Sequence, residues 1–192
     1  VPVVIVEGGT VSARHKIDMY AEVQGVMEYS TKEFKAGTTY RKGELLLKIR
    51  SEDYYANLQA QKSALQNLIT SIIPDIKLDF PKAFDKWDAY LKNFDIDKPI
   101  PPLPKPGTDK EKFFLTGKNI YTSYYNTKNL EVIFNKYQLK APYNGILTEA
   151  LVSPGSLVRV GQKLGEFINP NEFELELAIS ENLIGEIEVG KS

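Results

Sequence analysis

Short apolar stretches punctuated by glycine stand at both ends of this chain, and a long polar region with a helical period lies between them. Val3 to Val6, Lys16 to Val23 and Val26 to Tyr29 are β-branched, aromatic and partly alternating, with Gly8-Gly9, Gly25 and Gly37 as punctuation, and they predict short strands. Leu45 to Ile49 predicts another. Ser51 followed by Glu52 and Asp53 then supplies an N-cap with acidic residues in the first turn of a helix. Behind that start, Leu58, Leu65 and Ile72 recur every seven residues with Tyr54, Gln61 and Leu68 between them, the pattern of an a/d seam. Pro74 is expected to end this helix, giving it the span 51–73.

A second helix, 81–94, carries Phe84, Trp87, Leu91 and Phe94 as one stripe against Lys82, Asp85, Lys86, Asp88 and Lys92. Five prolines, Pro99, Pro101, Pro102, Pro104 and Pro106, impose an extended strap over 97–107. Thr108 and Glu111 form a capping box for a third helix, 108–136, with Phe113, Ile120, Tyr124, Leu130 and Phe134 as its apolar residues. Two long helices that leave and re-enter one β-module must run antiparallel. The insert 51–136 is therefore predicted as a hairpin whose far end lies between Pro74 and Gly107, capped there by Trp87, Phe84 and the strap.

The β-pattern then resumes at Gln138 to Ala141, Gly145 to Val152, Leu157 to Val160 and Lys163 to Ile168, with turns at Asn144-Gly145 and Ser153-Pro154-Gly155. It repeats what came before. Ala21 and Gly25 correspond to Ala141 and Gly145 at an offset of 120, while Gly37, Arg41, Gly43 and Leu46 correspond to Gly155, Arg159, Gly161 and Leu164 at an offset of 118. One β-module has been cut open to hold the insert. After Asn169-Pro170-Asn171, Glu172 to Leu177 alternates cleanly and opens a different β-element, with a turn or short helix expected at Glu181 to Glu186 and a strand start at Ile187 to Gly190.

Composition narrows the partners. With 192 residues, 42% of them hydrophobic, the chain can bury one good core or two small ones. A net charge of −1 gives no field that would draw a nucleic-acid backbone. Cysteine is absent, which removes disulfides, thiol nucleophiles and thiolate metal sites together.

Two pseudo-symmetric β-halves, each with a Gly-x5-Gly turn set, resemble the biotinyl/lipoyl-type module. With a helical hairpin between the halves, the chain resembles the periplasmic adaptor subunits of tripartite RND-type efflux pumps, the HlyD-like membrane fusion proteins. Leu139 to Leu147 looks like the re-entry strand of that family, Pro154 to Leu164 like the turn region that follows, and Gly43 to Ile49 with Ser51 to Tyr54 like the exit into the first hairpin helix. Phe173 to Lys191 is similar to the opening of the family's β-barrel.

The resemblance implies a mixed α+β fold, a lipoyl-like β-sandwich (barrel-sandwich hybrid) in two sequence halves interrupted by an α-helical hairpin with an extra short helix. In that scheme 1–14 are incoming, barrel-associated strands, 15–50 the first half, 51–136 the hairpin, 137–169 the second half and 170–192 the start of a β-barrel. It further implies a non-catalytic scaffold that links an inner-membrane transporter to an outer-membrane channel and self-associates as a trimeric or hexameric ring. Such a protein works in the periplasm, anchored by a lipid or N-terminal helix outside this chain. Other exporter classes, type I secretion or heavy-metal efflux, and a lipoyl/biotinyl carrier or ligand-binding module are the alternatives.

Within this scheme Trp87, Asp97, Lys98 and Pro101 are the expected partner-binding residues of the hairpin tip. Gly25, Gly37, Gly43, Pro142, Gly145, Gly155 and Gly161 are the turns of the lipoyl-like halves. Hinges are expected at Arg50-Ser51, Lys140-Ala141-Pro142 and Asn169-Pro170-Asn171.

A carrier domain needs an exposed lysine on the turn between its halves, and here the insert occupies that turn. Lys48 and Lys140 flank it in strand-like segments. His15, Met19 and Met27 are spaced four and eight apart, which fits no compact ligand set on a strand. One histidine and scattered carboxylates give catalysis little to work with. No catalytic residue, metal ligand or cofactor is expected.

Overall fold

The computed structural model describes residues 8–29 and 32–177. The strand expected at Val3 to Val6 and the elements expected at Glu181 to Glu186 and Ile187 to Gly190 lie outside the described residues. In chain order the elements are β1 Gly9–Ala13, β2 Lys16–Tyr20, β3 Gly25–Val26, β4 Thr39–Tyr40 and β5 Leu45–Lys48, then α1 Glu52–Asp79, α2 Pro81–Lys92, α3 Asp109–Gly117 and α4 Ile120–Asn135, then β6 Gln138–Lys140, β7 Gly145–Ala150, β8 Leu157–Val158, β9 Lys163–Ile168 and β10 Phe173–Leu177. This is the mixed α+β arrangement that the pattern predicts, with the helices inserted between two β-halves.

The repeat is realised as an exchange. Strands of one half pair with strands of the other, β2 with β9 and β4 with β7 at the two edges of a four-stranded antiparallel sheet β2-β9-β7-β4, and β3 with β8 and β5 with β6 in two-stranded pairs. Gly25 pairs with Val158, and its counterpart Gly145 pairs with Tyr40. Ala21 donates to the Gln162 carbonyl and accepts from Gly161, while Ala141 donates to the Glu44 carbonyl and accepts from Gly43. Met27 does the same with Ser156 and Gly155, and Leu147 with Thr38 and Gly37. Even the ladder irregularities correspond, at Met19/Tyr20 on β2 and between Leu45 and Leu47 on β5. The two halves are thus intertwined around a pseudo-two-fold axis, and the pairing each half has of its own also corresponds, Met27 with Ile49 in the first and Leu147 with Phe167 in the second.

Both halves supply one core. Met27, Tyr40, Leu46, Leu47, Leu147, Val158, Leu164 and Phe167 are buried together in it. Burying each such side chain stabilises the module by roughly 1.5–3 kcal/mol. The Gly-x5-Gly sets close the turns, and Gly37, Gly43, Gly155 and Gly161 all have φ between +78° and +89°, a region where a Cβ is strained. Gly145 is needed for a different reason, because a Cβ there would overlap the Ile168 carbonyl and the Phe167 ring. Outside the module, β1 and β10 form a separate antiparallel ribbon in which Val11 faces Leu175.

The structure departs from the sequence pattern in three places. First, α1 runs through Pro74 to Asp79. The lost backbone hydrogen bond costs about 3 kcal/mol, and continuation is favoured because Ile76, on the next turn, is fully buried beside Ile72. Second, the helix expected over 108–136 is broken. Asn119 takes a left-handed conformation, φ 59°, after Gly117 and Lys118, and splits it into α3 and α4. The break resets the rotation, so Leu115 is buried and Phe113, expected on the apolar face, is 71% exposed. Third, β4 is a strand that the pattern does not announce, since two residues are too few to show alternation.

Candidate functional site

The arm formed by α1 to α4 leaves the β-module at one point. Ile49 donates to the Tyr137 carbonyl (2.8 Å), and β5 and β6 pair Lys48 with Gln138, so the two ends of the insert are neighbours. From there α1, 28 residues or about 42 Å at 1.5 Å per residue, runs outward. At Phe80 the chain reverses and α2 returns along α1. The strap then runs outward again, and α3 and α4 come back to the module. Ring and ion contacts fix this order: Phe80 lies on Phe114 (5.4 Å), Asp75 meets Lys118 (3.2 Å), and Tyr55 lies on Phe134 (5.3 Å).

The seam of α1 holds a charged residue. Its buried positions are Leu58, Lys62, Leu65, Ile69, Ile72 and Ile76, so the second heptad row falls on Lys62, Ile69 and Ile76 rather than on Tyr54, Gln61 and Leu68. Lys62 is tolerated there because its ammonium pairs with Glu131 of α4 at 3.0 Å and donates to the Lys98 carbonyl of the strap at 2.7 Å. Glu131 in turn accepts from the Ile100 backbone N–H (2.8 Å) and pairs with Lys128 (2.9 Å).

The same chemistry recurs at the other end of the strap. Glu111, nearly fully buried on α3, accepts from the Gly107 backbone N–H (2.7 Å) and from Trp87 Nε1 (3.2 Å) and pairs with Lys86 (2.8 Å). Lys86 also donates to the Lys105 carbonyl at 2.7 Å. Two lysine–glutamate clips therefore hold the strap, each taking one N–H and one carbonyl from it. Burial alone would raise the pKa of both carboxyls, but the hydrogen bonds outweigh it and hold both below the usual range. For Glu111 these come from Lys86, Gly107 and Trp87, and for Glu131 from Lys128, Ile100 and Lys62.

The residues expected at the hairpin tip are elsewhere. Trp87 is completely buried against Glu111, because the apolar stripe of α2 packs inward rather than forming an exposed cap. Asp97 lies level with the first turns of α1, accepting from Gln59 Nε2 (3.0 Å) and from the Tyr55 hydroxyl (3.3 Å). The Lys98 carbonyl is held by Lys62, and the Pro101 carbonyl by the Tyr90 hydroxyl (3.3 Å), so both residues sit on the flank of the arm. Asp97, Lys98 and Pro101 are displaced for one reason: α2 folds back along α1 and carries 97–101 toward the module. The end itself is the α1–α2 corner with the start of α3. Leu78 stands there 82% exposed, beside a groove of about 430 Å³ lined by Phe80, Pro81, Ala83, Gly107 and Thr108.

Other candidates do not converge. Met19 and Met27 are buried in the module core, and His15 is exposed beside Glu172 and Tyr143. Lys48 pairs with Glu28 (2.7 Å) on β5, and Lys140 ends β6, so neither occupies a turn between the halves.

No family model and no curated protein matches the chain in sequence. Solved structures do match in three dimensions. MacA of Actinobacillus actinomycetemcomitans superposes with a TM-score of 0.57 at 18% identity, over 96% of this chain and 58% of MacA. The membrane fusion protein Spr0693 of Streptococcus pneumoniae R6 superposes at 0.53 with 12% identity, over 95% of this chain and 71% of that one. The fold is that of the membrane fusion proteins. A MacA–MexA chimera carrying the Pseudomonas aeruginosa MexA α-hairpin agrees, with a TM-score of 0.58 at 14% identity, covering 95% of this chain and 59% of the chimera. The chain thus spans a little over half the length of the MacA structures. Among the described residues, no helix is long and apolar enough to cross a membrane. In membrane-fusion terms, the intertwined β-halves are the lipoyl-like module, and α1 to α4 stand where the α-hairpin does.

Proposed function

We propose that this chain is the periplasmic adaptor of a tripartite efflux pump, a scaffold that joins an inner-membrane transporter, of RND type, to an outer-membrane channel. What carries the reading is the arm. An insert of more than 80 residues projects from a self-contained β-module through a single pair of adjacent strands, and its buried charged groups are spent on holding its own shape. Such a part transmits contact over distance and leaves the module free for a second contact. Leu78 and the groove beside Phe80 are the docking surface at the arm's end, in place of Asp97, Lys98 and Pro101. Copies arranged as a trimeric or hexameric ring would multiply one weak contact per arm. The junctions at Arg50-Ser51, at Lys140 to Pro142 and at Asn169 to Asn171 are the hinges of the assembly. An anchor to the inner membrane, lipid or helix, belongs to the same proposal.

The test uses the absence of native cysteine. A cysteine at Leu78, carrying a short photo-crosslinker in cells, is expected to capture the channel protein, and one at Asp97 to capture it far less. Capture from Asp97 but not from Leu78 would move docking to the flank. Capture only from the β-module would end the arm-docking reading.

A further inference from the structure

The strap is seated like a ligand. From Lys98 to Gly107 it forms no helix or strand, and its partners lie on all four helices of the arm. Five hydrogen bonds tie it to the helices, and all five come from side chains: Lys62 to the Lys98 carbonyl, Tyr90 to the Pro101 carbonyl, Lys86 to the Lys105 carbonyl, Glu131 to the Ile100 N–H and Glu111 to the Gly107 N–H. The three gripped carbonyls, on Lys98, Pro101 and Lys105, are spaced close to the three-residue turn of a polyproline helix. Inward residues follow the same period. Ile100 is 3% exposed and Leu103 is partly buried against the core, while Pro102 and Lys105 face solvent.

The surface beneath is aromatic. Trp87 and Tyr90 of α2 and Phe94 just beyond its end form a row with edge-on contacts at 6.0 and 5.9 Å, and Tyr124 of α4 belongs to the same cluster. Grooves lined with aromatic rings, with side-chain donors aimed at carbonyls, are how proteins bind proline-rich segments in the extended conformation. Such segments bind well because proline has already lost most of its backbone freedom.

The geometry points to a peptide-binding groove on the arm, built for an extended segment with prolines and an apolar residue at every third position, and occupied in this structure by the chain's own strap. A partner presenting a segment of that chemistry competes with the strap for the groove. A tether of side-chain bonds makes this exchange possible, since displacing the strap breaks no helix or sheet hydrogen bond. This goes beyond the adaptor reading and does not depend on it.

Two measurements on the full chain decide it. In native-state hydrogen exchange, the amides of Ile100 and Gly107 are expected to exchange at least about tenfold faster than those of Ile69 and Ile72 on α1, because the strap opens without the helices. The second is a titration with a synthetic peptide of residues 97–107, followed by emission of Trp87, the one tryptophan of the chain. Ile100→Ala with Leu103→Ala weakens the internal ligand and leaves the groove intact. That variant is expected to bind the peptide at least about tenfold more tightly than the wild type, and a peptide carrying the same two alanines should not bind it. Exchange of Ile100 and Gly107 only together with Ile69 and Ile72 would show the strap to be an inseparable part of the arm and overturn the inference. So would a peptide that leaves Trp87 emission unchanged in both proteins. Should the variant not fold, the exchange pattern of the wild type decides alone.

Discussion

Lys62 and Glu131 meet at 3.0 Å with 6% and 8% of their side chains exposed, in the seam where the flanking positions of α1 are leucine and isoleucine. Water is excluded from both charges, so each depends on the other and on the strap. Glu131→Leu should destabilise the arm by about 3–5 kcal/mol, because it leaves an ammonium buried without its carboxylate. Adding Lys62→Met should recover part of this loss, with a coupling of about 1–3 kcal/mol between the two sites. Urea denaturation followed by Trp87 emission measures all four corners of the cycle. Strict additivity would show that the pair holds nothing together.

Acid should loosen the arm through its two clips. The carboxyls of Glu111 and Glu131 titrate below the ordinary glutamate value of about 4.3, so their contribution is complete above that pH and fades as pH falls through the folded-state values. Glu44, Asp95 and Glu166 are depressed as well but are more solvated, and screening reduces what they add. The urea midpoint read at Trp87 is therefore expected to hold steady from pH 7 to about 5 and to drop below about 4. Glu111→Gln with Glu131→Gln should lower the midpoint at pH 7 and flatten its decline in acid. An unchanged slope in that double variant would locate the acid sensitivity elsewhere.

The module should survive loss of its arm. Lys48 is paired with Gln138 across β5 and β6, so a two-residue turn can replace 50–136 without moving either strand. The shortened chain is expected to give a cooperative unfolding transition and a dispersed β-rich NMR spectrum. A disordered spectrum would mean that the arm is required for the halves to find each other.

Two glycine substitutions should move stability in opposite directions. Gly145→Ala forces a methyl group into the Phe167 ring and the Ile168 carbonyl, the latter backbone that cannot yield cheaply, and should cost about 3 kcal/mol. Gly117→Ala meets nothing within 4 Å at the end of α3 and should raise stability by up to about 1 kcal/mol. Thermal unfolding distinguishes them by the sign of the change in Tm, and a loss at Gly117 as large as that at Gly145 would refute the steric account.

What the sequence made legible was whatever depends on local period or on self-similarity. The offsets of 120 and 118 mark both halves and all four left-handed turn glycines. The spacing of Leu58, Leu65 and Ile72 marks the buried face of α1. Illegible were features decided by contacts across the chain. Pro74 normally stops a helix, and only the burial of Ile76 shows why this one continues. Lys62 reads as a solvated charge until Glu131, 69 positions later, is placed beside it. The strap was visible in its prolines, but the return of α2 along α1, which takes Asp97 away from the tip, left no periodic trace. Asn119 alone carries a local signal, since a Gly-x-Asn in a helical run favours a left-handed break.

The exchange of strands between the two β-halves also sets an order of events during synthesis. Tyr40 emerges long before Gly145, its partner, and Lys48 long before Gln138. The first half of the module must therefore wait, without the second-half strands it pairs with, while the whole arm is made. Contacts within the arm are closer in sequence and can form during that interval. By bringing the two ends of the insert together, a finished arm would shorten the search of the second half for the first, and would so act as the chaperone of the module from which it projects.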